Sequence, residues 1–364
     1  MIARDPYLGM PPNLGLSRLS PVGIVENPKP MTTHLTMISA KYHTRSWALG
    51  VALVTLTLAG CQDAATDSAK PVPPEAATQS SFVEASWKAP TEADIPNDPL
   101  GQSVKRGLYL LRFTPESLPE FATSNLRCTS CHRMDGLLPD AAPLTGSHAR
   151  FPKYLPRTGA VIPLTDRVNY CFTRSLAGRA LPSDSREMQD IIAYLAFISR
   201  GVPVGTKLAG ADGLPPMTEK LVGDTTRGAA VFTRDCVVCH QANGEGNAAF
   251  PALWGARSYS IGASMSREER AASFIYHNMP LTKPRSLTPQ ESFDVAAYIN
   301  AQPRPDSPGK EQDWPTGGAP VDVPYGTSSG HEPHRPPTRL IPRRDPKRTL
   351  VPKPASVLPR ATMD

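Results

Sequence analysis

The chain has 364 residues, of which 40% are apolar and 20% charged, enough to build the cores of two ordinary domains. Its formal charge of +6 sits at the ends: Lys and Arg exceed Asp and Glu by 5 to 2 over residues 1–60 and by 8 to 3 over residues 327–364. The stretch between them is slightly acidic, which leaves a nucleic-acid-binding role without electrostatic support.

Residues 1–61 read as a leader. A basic flank (Lys41, Arg45) precedes an apolar run, Trp47–Leu58, which is too short to span a bilayer comfortably and suits a signal-peptide core. Leu58-Ala59-Gly60-Cys61 resembles a bacterial lipobox. That implies cleavage before Cys61 and lipidation of its sulfur, so that the mature chain is anchored to a bacterial membrane by lipid alone. A plain secretory signal with an incidental Cys61 is the alternative. Residues 1–30 look unlike a leader, and Met31 or Met37 is a more sensible start. Residues 62–95, rich in Ala, Ser, Thr and Pro, read as a flexible spacer.

Residues 96–204 and 205–302 read as two related domains. In the first, a helix over Lys105–Leu111 leads to Cys128-Thr129-Ser130-Cys131-His132. In the second, a helix over Thr226–Phe232 leads to Cys236-Val237-Val238-Cys239-His240. Two cysteines three apart can each form a thioether to a haem vinyl group, and the histidine that follows then faces the iron. A zinc site would want further ligands at knuckle spacing, and a thioredoxin-like site a βαβ pattern; neither is present. The reading is two covalently bound haem c groups, attached at Cys128 and Cys131 and at Cys236 and Cys239, with His132 and His240 as iron ligands.

Each histidine needs a partner across the iron. Met279 lies 39 residues after His240, followed by Pro280, and Cys171 lies 39 residues after His132. Repeat logic therefore names Met279 and Cys171 as the sixth ligands. Met265 competes with Met279, and Met134 and Met188 with Cys171. A buried free thiol is the other reading of Cys171, disfavoured in an export pathway that oxidises thiols. A helix over Asp184–Ser199 follows Cys171, with Met188, Ile191, Ile192 and Leu195 on one face. Its counterpart spans Thr288–Ala301, with Thr288 and Glu291 as a capping box and Pro289 in the first turn. Ser266 and Glu269 suggest another capping box, for a helix delivering Met279. The fold expected is all-α: two tandem class I-type cytochrome c domains. Residues 303–364, with 14 prolines in 62 positions, read as a tail, disordered beyond 327.

An anionic thiolate stabilises Fe(III), so the His132/Cys171 haem should have a low potential and the His240/Met279 haem a higher one. A carrier gains little from a thiolate ligand, whereas sulfur chemistry could use one.

The segments Cys128–His132, Ala149–Tyr154, Arg167–Met188, Cys236–His240, Asp294–Pro305 and Pro320–Gly326 together resemble the dihaem cytochrome c thiosulfate dehydrogenases, which form tetrathionate. The resemblance covers roughly Pro99 to Gly326, and the cysteine segment is its most specific part. It implies oxidation of two thiosulfates, with electrons passing from the first haem to the second and on to a periplasmic cytochrome c or similar acceptor. It also implies that Cys171 is the distal ligand at the active-site haem and that Arg157, Arg167 and Ser175 bind the anions; Arg174 and Lys153 are weaker candidates. A guanidinium fork suits dianions, although Arg157 or Arg167 could instead pair with a haem propionate. In the mechanism expected, Cys171 leaves the iron, bonds the sulfane sulfur of one thiosulfate, and a second thiosulfate attacks that adduct. Some family members carry a lysine just before the methionine and exchange the two on reduction. Asn278 stands there in this chain, so Met279 is expected to ligate in both redox states, a balance that favours tetrathionate reduction. Two other readings stand beside this one: a plain dihaem electron carrier, and a haem subunit of a Sox-type sulfur-oxidising complex.

Overall fold

The computed structural model describes residues 84–343 except 212, 334, 336 and 337. The leader with Cys61, most of the spacer and the end of the tail lie outside the described residues.

Helix α1 (Pro99–Arg112) begins where Asp98 accepts a hydrogen bond from the Gly101 amide, with proline at the first position. These are two signals that start a helix without leaving its first amides unpaired. A short helix, α2 (Leu164–Tyr170), and then α3 (Arg186–Phe197) complete the first half, α3 being capped by Ser185. The second half repeats the scheme with α4 (Thr225–Asp235), α5 (Glu268–Asn278) and α6 (Pro289–Ala301). The expected capping box at Thr288 forms, since Thr288 and Glu291 bond each other's backbone amides.

In each half the first and last helices cross at a glycine. A Cβ on Gly107 would lie 2.0 Å from the Asp190 carbonyl oxygen, and one on Gly228 2.0 Å from that of Asp294. The preceding arginine closes each crossing. Arg106 donates two bonds to Asp190 (2.7 and 2.8 Å), and Arg227 two to Asp294 (both 2.7 Å). Val104, Leu108 and Leu111 of α1 meet Ile191 and Leu195 of α3 in one buried cluster; Val231 and Phe232 meet Phe293 and Ile299 in the other. Met188 is fully buried in the first cluster and Met134 is exposed.

The helical expectation holds, with two short ribbons added. β1 (Lys153–Leu155) pairs antiparallel with β2 (Ala160–Ile162), and the turn between them carries Arg157. β3 (Arg304–Pro305) pairs parallel with β4 (Leu340–Ile341). This second pair lies in a stretch expected to be disordered and corrects that expectation for the described residues up to 343. Arg335 ion-pairs with Glu268 (2.7 Å), and Arg343 donates to the carbonyls of Thr173 and Gly178 (2.6 and 2.8 Å). Proline-rich chain without periodicity can still be ordered when its cations find buried carbonyls and carboxylates. The expected Ser266–Glu269 capping box is absent. The Ser266 hydroxyl turns to the carbonyls of Ile261 and Ala263, and the Glu269 amide donates to Asp322 from the C-terminal segment (3.1 Å). No helix among the described residues is long and apolar enough to cross a membrane.

Candidate functional site

Helix α2 runs directly into a π-helical turn, Cys171–Ser175, in which the Leu176 amide bonds the Cys171 carbonyl at 2.8 Å. The wider π spacing recurs at functional sites because it re-aims side chains within a continuous helix. Thr173 back-bonds to the Asn169 carbonyl (3.0 Å), and Arg343 holds the outer face of the turn.

Cys171 projects into a cavity of about 650 Å³ that also receives Cys128, Cys131 and His132. The His132 Nδ1 lies 2.5 Å from the Ala142 carbonyl; a carbonyl partner there fixes the ring and leaves Nε2 as the ligating nitrogen. Neither Met134 nor Met188 lines this cavity. The three thiols differ in their surroundings. Burial pushes Cys128 up to about 11 and Cys131 up to about 12. Burial also acts on Cys171, but the Arg167 guanidinium and the His132 ring outweigh it and bring the thiol down to about 6. Arg167 Nη1 lies 3.2 Å from the Cys171 sulfur. A guanidinium at that distance favours the thiolate over the thiol.

A second cavity, about 930 Å³, receives Cys236, Cys239, His240, Met265 and Met279. Its histidine is held in the same way, Nδ1 lying 2.9 Å from the Pro251 carbonyl. Met279 follows the last residue of α5, while Met265 packs against the cores of both halves. Asn278 is buried and donates to the carbonyls of Phe274 and Asp140 (3.2 and 2.9 Å), and Arg285 reaches the Asp140 carboxylate (2.6 Å). The loop after α5 is thereby moored to the first half, two residues from the carbonyl that holds His132. Leu126, Ser130 and Cys131 of the first half also wall the second cavity.

These residues fit two haem groups. Both cavities are walled mainly by apolar side chains, and none of the described cysteines is in a disulfide. Arg304 is fully buried, stacks 4.4 Å over the Tyr259 ring at the wall of the second cavity, and has Nε and Nη1 without a protein partner. A buried guanidinium of this kind calls for a carboxylate, which haem carries.

A third, polar cleft of about 810 Å³ lies beside the first cavity and is lined by Arg157, Arg167, Arg174, Arg267, Tyr170 and Ser175. Ser175 faces both this cleft and the cavity that holds Cys171. The structure thus brings Arg157, Arg167, Ser175 and Arg174 together at one wall beside Cys171; Lys153 lies on the exposed β1 strand and does not line the cleft. Sequence reading missed Arg267, and it missed Asp313, whose buried carboxylate binds both Arg157 and Arg174 (2.9 and 2.6 Å). No motif marks Asp313, which lies 139 and 156 positions away from its partners.

Residues 120–204 match the family described as "SoxA/TsdA, cytochrome c domain", and residues 225–302 match "Cytochrome c". The two halves are cytochrome c domains, each with one covalently bound haem c. A thiosulfate dehydrogenase of Psychrobacter arcticus is 38% identical over 242 residues, covering 65% of this chain and 74% of that protein. One from Allochromatium vinosum is 42% identical over 226 residues, covering 59% of this chain and 83% of its own length. The solved thiosulfate dehydrogenase TsdBA of Marichromatium purpuratum, in its as-isolated form, superposes with a TM-score of 0.60 at 32% identity, covering 68% of this chain. The match spans 57% of that solved chain.

Proposed function

Because this chain belongs to the thiosulfate dehydrogenase family, we propose that it joins two thiosulfate anions into tetrathionate with release of two electrons, outside the cytoplasmic membrane. The observation that carries this reading is the Cys171 sulfur, 3.2 Å from Arg167 Nη1, at the edge of a cleft lined by four arginines. When bound, the haems supply two one-electron acceptors, held by Cys128, Cys131, His132 and Cys171 in the first half and by Cys236, Cys239, His240 and Met279 in the second. Electrons leave for an external acceptor such as a cytochrome c.

The chain's own residues divide the remaining work. Arg167 has no carboxylate within ion-pair distance among the described residues, so its charge is available both to Cys171 and to an arriving dianion. Cys171 and the terminal sulfur of the first thiosulfate form an S–S bond as two electrons leave, giving Cys171–S–S–SO3⁻. The second thiosulfate attacks the sulfur that bears the sulfonate. The bond to Cys171 breaks, the thiolate returns, and tetrathionate departs. Ser175 stands between the two spaces, placed to donate to a sulfonate oxygen. The guanidinium groups spread the four negative charges that must converge. Run backwards, the same steps cleave tetrathionate. The buried bonds of Asn278 hold the residue before Met279 in place, in keeping with a constant Met279 ligand. A lipid tether at Cys61 completes the reading.

The test uses the haem-loaded chain with thiosulfate and a soluble acceptor, with tetrathionate quantified, then the reverse with a reduced dye. One tetrathionate per two acceptor electrons is expected. Full haem loading without turnover in either direction would leave an electron carrier. Incubation with tetrathionate should also add a thiosulfate-derived mass to the peptide holding Cys171, and its absence would remove the covalent step.

A further inference from the structure

The C-terminal segment reaches back to the anion cleft and places one carboxylate beneath two of its arginines. Asp313 Oδ2 accepts from Arg157 Nε (3.0 Å), Arg174 Nη1 (2.7 Å) and the Tyr325 hydroxyl (2.6 Å), and Oδ1 accepts from Arg174 Nη2 (2.6 Å). Arg157 is held further by the Gly262 carbonyl, by Tyr325 and by stacking on Trp314. Trp314 has a left-handed backbone (φ 51°) and donates its amide to the Arg157 carbonyl (2.9 Å). Arg174 stacks on Tyr170 and keeps one buried nitrogen, Nε, without a partner in the protein.

A free guanidinium grips a dianion with two parallel bonds. Two such forks side by side would hold the first thiosulfate tightly in its ground state, and binding of that kind does not accelerate a reaction. Asp313 occupies the Arg174 fork and most of the Arg157 fork, so that each keeps its charge near the cleft while its strongest geometry is already used. Arg167, which meets no carboxylate among the described residues and uses Nη1 on the Cys171 sulfur, and Arg174 Nε, without a protein partner, remain as donors. We propose that Asp313 is the positioning residue of the cleft: it holds Arg157 and Arg174 as fixed, weak-gripping cations, so that two thiosulfates enter, react and leave without the first becoming trapped. This rests on the thiosulfate reading of the site.

The experiment compares haem-loaded wild type, Asp313→Asn and Asp313→Glu. Sulfate, an unreactive dianion, is titrated calorimetrically, and KM and kcat for thiosulfate are measured at low and high salt. In Asp313→Asn, sulfate should bind about fivefold tighter at low ionic strength, with the gain lost at high salt. KM should fall with it, and kcat should drop about tenfold or more. Asp313→Glu keeps the charge and should stay within about twofold of wild-type sulfate affinity while its kcat falls. A merely structural carboxylate would lower the melting temperature and haem content without tightening sulfate binding, and that result overturns the proposal. Should Asp313→Asn fail to fold, Tyr325→Phe removes one bond to the same carboxylate at constant charge. It should lower kcat about threefold with a smaller fall in KM, and unchanged constants would overturn the proposal. If wild type binds sulfate yet oxidises no thiosulfate, the functional reading fails, and the sulfate shift in Asp313→Asn still decides the role of Asp313.

Discussion

The two halves of the molecule share a scaffold and differ in the segment that crosses their cavities. Both begin with an Arg-Gly pair that lets the first helix touch the last, and both hold a histidine by a backbone carbonyl. Between the histidine and the last helix they part. The first half inserts the ribbon that carries Arg157 and then a π-helical turn that delivers a charged sulfur; the second inserts a regular helix that ends at a neutral one. The arginine cleft adjoins the first half's cavity through Ser175, with Arg267 of the second half on its wall. The scaffold therefore provides for haem, and what sets the first half apart is the stretch from β1 to the π-helical turn laid across it, with the C-terminal segment behind its arginines.

The largest test of this contrast makes the halves alike. Cys171→Met should keep both haems and abolish thiosulfate turnover by about a thousandfold or more, because the nucleophilic sulfur is gone. The first haem's potential should rise, since a thioether does not stabilise Fe(III) as a thiolate does. Spectropotentiometry alongside turnover checks both, and a potential that stays low would show that Cys171 does not ligate.

The shared scaffold should break equally on either side. Gly107→Ala and Gly228→Ala each drive a methyl group to within 2.0 Å of a carbonyl oxygen, and separating the helices should cost about 2–4 kcal/mol. Melting curves that differ strongly between the two variants would mean that the crossings are not equivalent.

A smaller effect is read from pH. Burial raises the Asp294 carboxyl, but the Arg227 guanidinium, the Asp224 amide and Gln290 outweigh it and hold it below the usual carboxylate range. A carboxylate depressed in the folded state stabilises above its unfolded value near 4 and loses that contribution as pH falls through the folded value. Asp294→Asn should therefore lower the melting temperature at neutral pH and flatten its decline below about pH 4. A decline as steep as in wild type would place the acid-sensitive group elsewhere.

What was legible in the sequence was local or periodic. Each Cys-x-x-Cys-His pentapeptide names its own chemistry, the matching 39-residue offsets pick out Cys171 and Met279, and Thr288 with Glu291 marks a helix start. Arg157 and Arg167 were reached through family likeness, and the structure brings both to the cleft rather than to either haem cavity. Asp313 was not legible. Its segment has no periodicity, and its partners lie more than a hundred residues away, so only the folded chain brings them together. The same holds for the described residues up to 343: composition argued for a solvated tail, and composition cannot foresee that Arg343 would meet the carbonyl of Thr173 in the π turn and that of Gly178 just beyond it. Ser266 misled for the opposite reason, since its hydroxyl had nearer acceptors than the helix it was expected to cap.

The mooring of the Met279 loop has a consequence for whether either half could be separated from the other. Asp140, which receives Asn278 and Arg285, lies two residues from the carbonyl that seats His132, and Cys131 forms part of the second cavity's wall. The second cavity thus takes part of its wall from the first half, whereas the cavity around Cys171 is lined by its own half alone, although Tyr259 and Ala263 of the second half complete the core behind it. A second half produced by itself would therefore have a haem pocket with one side open, and a first half by itself a core with a gap where Tyr259 and Ala263 sit.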